Sequence, residues 1–328
     1  MPPAAAVLDK GENMKRIIAL LLLLLLLTGC TTAAPAATEP TVLPTAEPTE
    51  TVILTLPPTE ASTEPPLEGL TVHFVDVGQA DGFLLECDGE YAVIDGGYPE
   101  GGEKMVEYMT ELGVEELELV VGTHLHGDHI GGLPLILDTY PTANVWSRPL
   151  TFLNDYVRDF RDAVAAQGIP LHVPEVGEVF ELGDATITVL GPVKDKYEDL
   201  NDTSIVLMVQ YGDIRFLFTG DMEMIAETDL LDSGADVKAD VLKVGHHGSY
   251  SSTGYRLLRE VAPTYAVISV GGNNDYGHPH KEPMSRLRDA EVTIYRTDKM
   301  YDIVAVTDGK EIQFSWENTF AKPWQPAA

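Results

Sequence analysis

Val120-Val121-Gly122-Thr123-His124-Leu125-His126-Gly127-Asp128-His129-Ile130-Gly131-Gly132 places four ligand-type side chains within six residues. The run 117–122 that leads into it reads as a buried strand, and the glycine-rich turn after it opens a helix near Gly132. The four side chains therefore stand at the C-terminal end of a strand, where α/β sheets commonly place their sites. His124 and His126 share one side of an extended backbone by period two, while the turn carries Asp128 and His129 round to a second position. One cation can take His124 and His126, and a neighbour Asp128 and His129. A solvated loop that happens to be histidine-rich is the bland alternative. With only nine histidines in 328 residues, three inside six positions weigh against it.

Three later stretches repeat the strand-end placement. Phe216-Leu217-Phe218-Thr219-Gly220-Asp221 closes a β-rich run on an aspartate. Asp221 taken alone is more often a helix N-cap than a ligand. Leu242-Lys243-Val244-Gly245-His246-His247-Gly248-Ser249 ends another run on paired histidines. Tyr276-Gly277-His278-Pro279-His280 follows a strand over 265–270. His73 and His172 have no such context and read as packing or surface residues.

Around these motifs the pattern predicts strands at 71–77, 83–86 and 91–94, a helix over 103–112 stopped by Gly113, and a helix over 154–167 stopped by Gly168. A second strand cluster follows at 185–190, 204–211 and 214–218. Helices near 224–231, 255–261 and 284–290 then alternate with strands at 241–244, near Val292 and at 300–307. Strand pairs at each end with helices between them imply an α/β fold in which two mixed sheets pack face to face under outer helices, an αββα sandwich. One domain is expected over 68–318, with 319–328 as a tail.

The chain carries 21 Lys and Arg against 52 Asp and Glu, a formal charge of −31. No excess of basic side chains is available for a broad face toward DNA or an anionic membrane. Two cysteines, Cys30 and Cys87, exclude a disulfide framework and a cysteine-rich zinc ribbon. Residues 14–30 read as a secretory signal: Lys15 and Arg16, a short apolar run, then Leu27-Thr28-Gly29-Cys30. That ending resembles the bacterial lipobox, which predicts a lipid anchor at Cys30 on the outer face of the cytoplasmic membrane. Residues 1–13 precede the better start at Met14 and read as an extension. Segment 31–67 lacks Lys, Arg and Gly and is mostly Thr, Pro, Ala and Glu, the composition of a disordered, extended tether. Beyond it the remaining chain still carries about −27.

The motifs together resemble the metallo-β-lactamase-fold hydrolases, and most closely the metallo-β-lactamase-like domain of ComEC-type competence proteins. The carriers are 73–81 (HFVDVGQAD), 92–97 (AVIDGG), 124–132, 201–207 (NDTSIVL), 219–221, 244–249 and 276–279. The resemblance implies two divalent metal ions, Zn or Mn. By motif, His124 and His126 would hold the first and Asp128 and His129 the second. Asp221 would bridge both, and His247, favoured over His246, would complete the second. Asp95 would orient the metal loop, whereas Asp76 and Asp81 fit turns equally well. One departure stands out: the family's further histidine has no counterpart, its place falling at Asn201–Ser204. His278 or His246 is then expected to fill in, and a ligand set with fewer nitrogens favours the harder Mn²⁺.

The expected activity is metal-dependent hydrolysis of a phosphodiester outside the cytoplasm, with Asp128 orienting water and His246, His278 or Lys243 serving the leaving oxygen. DNA is the substrate the resemblance suggests, with Lys243, Arg256 and Arg259 as a local cationic cluster and no channel-forming transmembrane bundle expected. A small phosphoester such as phosphorylcholine suits the acidic surface better. Hydrolysis of a lactam or carboxylic ester stands third, and a non-catalytic surface-binding module with a structural metal is the reading from another class. No protein partner can be inferred.

Overall fold

The computed structural model describes residues 67–151, 154–318, 320–323 and 325. The signal segment, Cys30 and the tether up to residue 66 lie outside the described residues. No helix among them is long and apolar enough to cross a membrane.

Two sheets form the centre. The first has eight strands, in spatial order Ile312–Trp316, Ile303–Thr307, Leu70–Phe74, Gly82–Cys87, Glu90–Gly96, Leu117–Gly122, Thr142–Ser147 and Leu171–His172. The last four run parallel to one another. The second has seven: Thr293–Arg296, Tyr265–Ile268, Val241–Lys243, Ile214–Phe218, Val206–Tyr211, Ala185–Gly191 and Val179–Leu182. Its first four are parallel.

Alternation decides which side chains go where. Leu70, Val72 and Phe74, with Phe83, Leu85 and Cys87, point between the sheets and meet Ile187, Leu207 and Phe218 from the other side. The rings of Phe74, Phe83 and Phe218 lie 5.2–6.0 Å apart there. The opposite phase, such as Leu84, Val93 and Val120, lies under Met105, Met109, Ile136 and Phe160 of helices Pro99–Glu111, Leu133–Thr139 and Asp155–Gln167. Leu217, Leu242 and Ile268 do the same beneath helices Met224–Asp232, Tyr255–Val261 and Lys281–Asp289. Both phases are buried, at about 1.5–3 kcal/mol per large apolar side chain. That is why the central strands read as continuous apolar runs rather than alternating ones. The architecture is the expected αββα sandwich.

Several boundaries differ from the sequence reading. The first strand stops at Phe74, because Val75 N–H bonds Gly82 O and Val77 N–H turns back to Val75 O. The first helix begins at Pro99, four residues early: Gly101 and Gly102 are buried, and a Cβ on Gly102 would lie 2.6 Å from the Gly132 backbone. Glycine there permits close packing that propensity alone opposes. Strands Thr142–Ser147, Val179–Leu182 and Ile312–Trp316 were not predicted, being short or partly exposed and held by their neighbours. Residues 300–307 divide into a helical turn, Thr297–Met300, and strand Ile303–Thr307.

The parallel strands matter most for function. They end together at one edge of the sandwich, so the loops after Gly96, Gly122, Phe218, Lys243 and Ile268 share one rim.

Candidate metal centre

At that rim the loop after Gly122 is held by Asp95, whose Oδ1 accepts the Thr123 N–H at 2.8 Å and whose Oδ2 accepts the Thr123 hydroxyl at 2.7 Å. Asp95 Oδ2 also accepts from His129 Nδ1 at 2.8 Å. This bond uses the Nδ1 proton and turns His129 Nε2 toward Asp221 Oδ2, 3.3 Å away. His247 is set in the same manner. Its Nδ1 donates to Ser269 O at 3.0 Å, and its Nε2 lies 3.5 Å from Asp128 Oδ2 and 3.6 Å from Asp221 Oδ2. Both His246 and His247 adopt left-handed backbone, φ 49° and 50°, a conformation costly for non-glycine residues. Bonds from His246 N–H to Gly220 O and from Ser249 N–H to His246 O hold it.

One ligand atom from each of Asp128, His129, Asp221 and His247 falls within 4.8 Å of the others. His129 Nε2, His247 Nε2 and Asp221 Oδ1 are buried without a hydrogen-bond partner. Unsatisfied buried polar atoms are expensive, and the two imidazole nitrogens, both facing Asp221 Oδ2, fit a divalent cation, while Asp221 Oδ1 turns toward Lys243. The first pair also meets: His124 Nε2 lies 3.0 Å from His126 Nδ1. Behind it, His124 Nδ1 faces the hydroxyls of Thr123 and Ser204 at 3.3 and 3.4 Å. Ser204 thus braces His124 from behind, and its hydroxyl also accepts the Asp221 N–H at 3.0 Å. His246 and His278 line the same cavity as His126, with ring contacts to each other and to His247 at 5.6–6.5 Å. Asp221 is not the helix N-cap, a position taken by Glu223.

Charge balances locally. Burial opposes ionisation of Asp221, but His129 and His247 outweigh it and hold its carboxyl well below the usual range. Burial likewise opposes charge on His247; Asp221 and Asp81 overcome it and raise the imidazole to about 10. Asp128 is also held low, burial being outweighed by the hydrogen bond from His247 and the charge of His129. Without a cation, His129 and His247 balance the carboxylates as imidazolium.

Lys243 requires a correction. The sequence reading gave its ammonium to the leaving oxygen or to a cationic surface cluster, yet it is 1% exposed, ion-paired with Asp81, bonded to Gly220 O at 3.1 Å and 3.8 Å from Asp221 Oδ1. A strand side chain at the sheet end points inward as readily as outward, and sequence does not choose. Arg256 and Arg259 pair on the exterior with Asp232 and Glu260 and form no cluster with it. Asp81, weighed evenly as a turn residue, is fully buried beside Lys243, 3.3 Å from His247 Nδ1.

A cavity of about 360 Å³ opens over the centre, lined by His126, Asp128, Asp221, His246, His247 and His278 together with Gln79, Tyr98, Tyr156 and Tyr276. Burial and the neighbouring imidazoles push His278 down to about 4, which favours a neutral ring at neutral pH. His246 differs: Glu223 Oε1 holds its Nδ1 at 3.1 Å, and its Nε2 faces the cavity 3.7 Å from Asp221 Oδ2. Glu223, Tyr98 and Tyr156 escaped the sequence reading because each is an ordinary residue type in an ordinary loop or helix start.

Residues 75–272 match the Metallo-beta-lactamase superfamily. The chain belongs to it. Within the superfamily, ComE operon protein 3 of Bacillus subtilis is 28% identical over 251 residues, 70% of this chain and 32% of that protein. Recombination protein 2 of Haemophilus influenzae is 31% identical over 221 residues, 66% of this chain and 26% of its own length. Competence protein ComA of Neisseria gonorrhoeae is 28% identical over 225 residues, 68% of this chain and 30% of that one. The chain thus spans about a third or less of these ComEC-type competence proteins. It is a metallo-β-lactamase-fold hydrolase related to them.

Proposed function

We propose that this chain is a metal-dependent phosphodiesterase acting outside the cytoplasm, anchored through a lipid on Cys30. The convergence of Asp128, His129, Asp221 and His247 on one space, beneath an open cavity, carries the reading. Those four would hold one divalent ion, and His124, His126 and Asp221 a second. Bound there, the ions would offset phosphoryl charge and bring the pKa of a water near 7. The ionised Asp128 carboxylate at the cavity wall accepts a hydrogen bond from the attacking water and orients it. His246, braced by Glu223, is the group positioned to deliver a proton to the leaving oxygen. The first pair has two imidazoles and a shared carboxylate, with Ser204 behind it, a donor set that suits Mn²⁺ as well as Zn²⁺.

The names of the competence relatives favour DNA as substrate, while a charge of −27 beyond the tether favours a short phosphoester over a long polyanion. Hydrolysis of bis-p-nitrophenyl phosphate by protein reconstituted with Zn²⁺ or Mn²⁺ tests the reading. Turnover is expected to fall at least 100-fold in Asp128→Ala and His129→Ala. Equal rates in wild type and folded variants would leave a binding module instead. For the anchor, Cys30→Ala is expected to release the protein into the medium; continued membrane attachment would contradict it.

A further inference from the structure

We propose that Tyr98, Tyr156 and Tyr276 form a ring-stacking wall that selects phosphodiesters carrying an unpaired nucleobase next to the scissile phosphate. The proposal rests on the phosphodiesterase reading and names what that site selects. The three tyrosines come from separate segments: Tyr98 precedes helix Pro99–Glu111, Tyr156 lies in helix Asp155–Gln167, and Tyr276 stands in the loop before His278. All three line the cavity over Asp128 and His247.

Their placement is built rather than incidental. A Cβ on Gly127 would lie 2.5–2.9 Å from the Tyr156 ring, so the residue between His126 and Asp128 is the one type that lets this ring lie on the metal loop. Tyr98 and Tyr156 have centroids 6.2 Å apart and tilted by 58°. Tyr276 lies within 29° of parallel to His278 at 5.6 Å and remains 62% exposed, leaving a flat face toward solvent. Tyr276, near-parallel to His278 and exposed, suits a flat partner stacked on it, with the tilted Tyr98–Tyr156 pair closing another side of the cavity, whereas a quaternary ammonium is held by rings boxed around it. A cavity of about 360 Å³ has room for roughly one nucleotide. In a duplex both faces of each base are already stacked, so only an unpaired base or chain end offers a free face.

The test uses metal-loaded full-length protein and three probes sharing one phosphate: thymidine 5′-monophosphate, 2-deoxyribose 5-phosphate and phosphorylcholine, measured by calorimetry. Thymidine monophosphate is expected to bind on the order of 10-fold tighter than the sugar phosphate. That ratio should fall toward one in Tyr276→Ala and Tyr156→Ala and survive in Tyr276→Phe and Tyr156→Phe. Tyr276 is exposed enough that its alanine variant keeps the fold. Equal affinity for the first two probes, an unchanged ratio in the alanine variants, or preference for phosphorylcholine would overturn the wall. Bis-p-nitrophenyl phosphate turnover with a ratio of one sinks the wall alone; no turnover together with no phosphate binding sinks the site reading and the wall with it.

Discussion

Asp95 Oδ2 accepts from His129 Nδ1 at 2.8 Å, and through that one bond a side chain on strand Glu90–Gly96 aims a ligand in the turn after strand Leu117–Gly122 toward Asp221. The same carboxylate holds the Thr123 N–H and hydroxyl. Asp95→Ala is expected to weaken Zn²⁺ or Mn²⁺ affinity by about 10–100-fold, the usual cost of losing a group that orients a ligating histidine. Calorimetric titration checks it, and an unchanged dissociation constant would show that the loop orients His129 without help.

Cation binding must displace protons, because His247 is raised to about 10 and His129 well above its ordinary value in the metal-free cluster. At pH 7 at least one proton per ion is expected to be released, read from binding enthalpies in two buffers of different ionisation heat. The same shift sets stability. The imidazolium of His247 stabilises the metal-free fold fully below pH about 6.5, and that contribution is lost as pH rises toward 10. Thermal midpoints of metal-free protein should fall across that window while those of loaded protein fall less.

Lys243 and Asp81 are both buried, so removing one leaves the other as an uncompensated charge. Lys243→Met is expected to cost about 3–5 kcal/mol in urea unfolding, and Lys243→Met combined with Asp81→Leu to recover part of the loss. A single-variant cost under about 1 kcal/mol would mean that the lysine reaches water.

Glu227 supplies a separate pH signature. Its carboxylate is 4% exposed, accepts the N–H groups of Thr253 and Gly254, and is raised by burial to about 7 from 4.5. Between those values the folded state binds the proton more tightly than the unfolded chain, so this group makes stability decrease as pH rises from 4.5 to 7, by up to about 3 kcal/mol. Glu227→Gln should flatten that slope in denaturation curves measured across the window. A slope identical to wild type would assign the effect to other groups.

Four metal-type residues within six positions and strand-end aspartates and histidines were legible from residue type and spacing, since strand period and a glycine turn dictate where 124–132 can point. Helix 155–167 was readable from its stop at Gly168, which adopts left-handed conformation, while Asn154, read as its first residue, caps it through Val157 N–H. Short strands such as Thr142–Ser147 were not, because their pairing comes from Leu117–Gly122 rather than from their own composition.

The chain order therefore determined which residue types reach the sheet rim, through periodicity and turn chemistry that act over a few positions. Tertiary structure alone decided how they face one another. It buried Lys243 against Asp81, turned His247 inward on a left-handed backbone, put Ser204 beside His124 and laid Tyr156 on Gly127. Each of these depends on a partner distant along the chain, and desolvation with close packing, rather than local propensity, selects it.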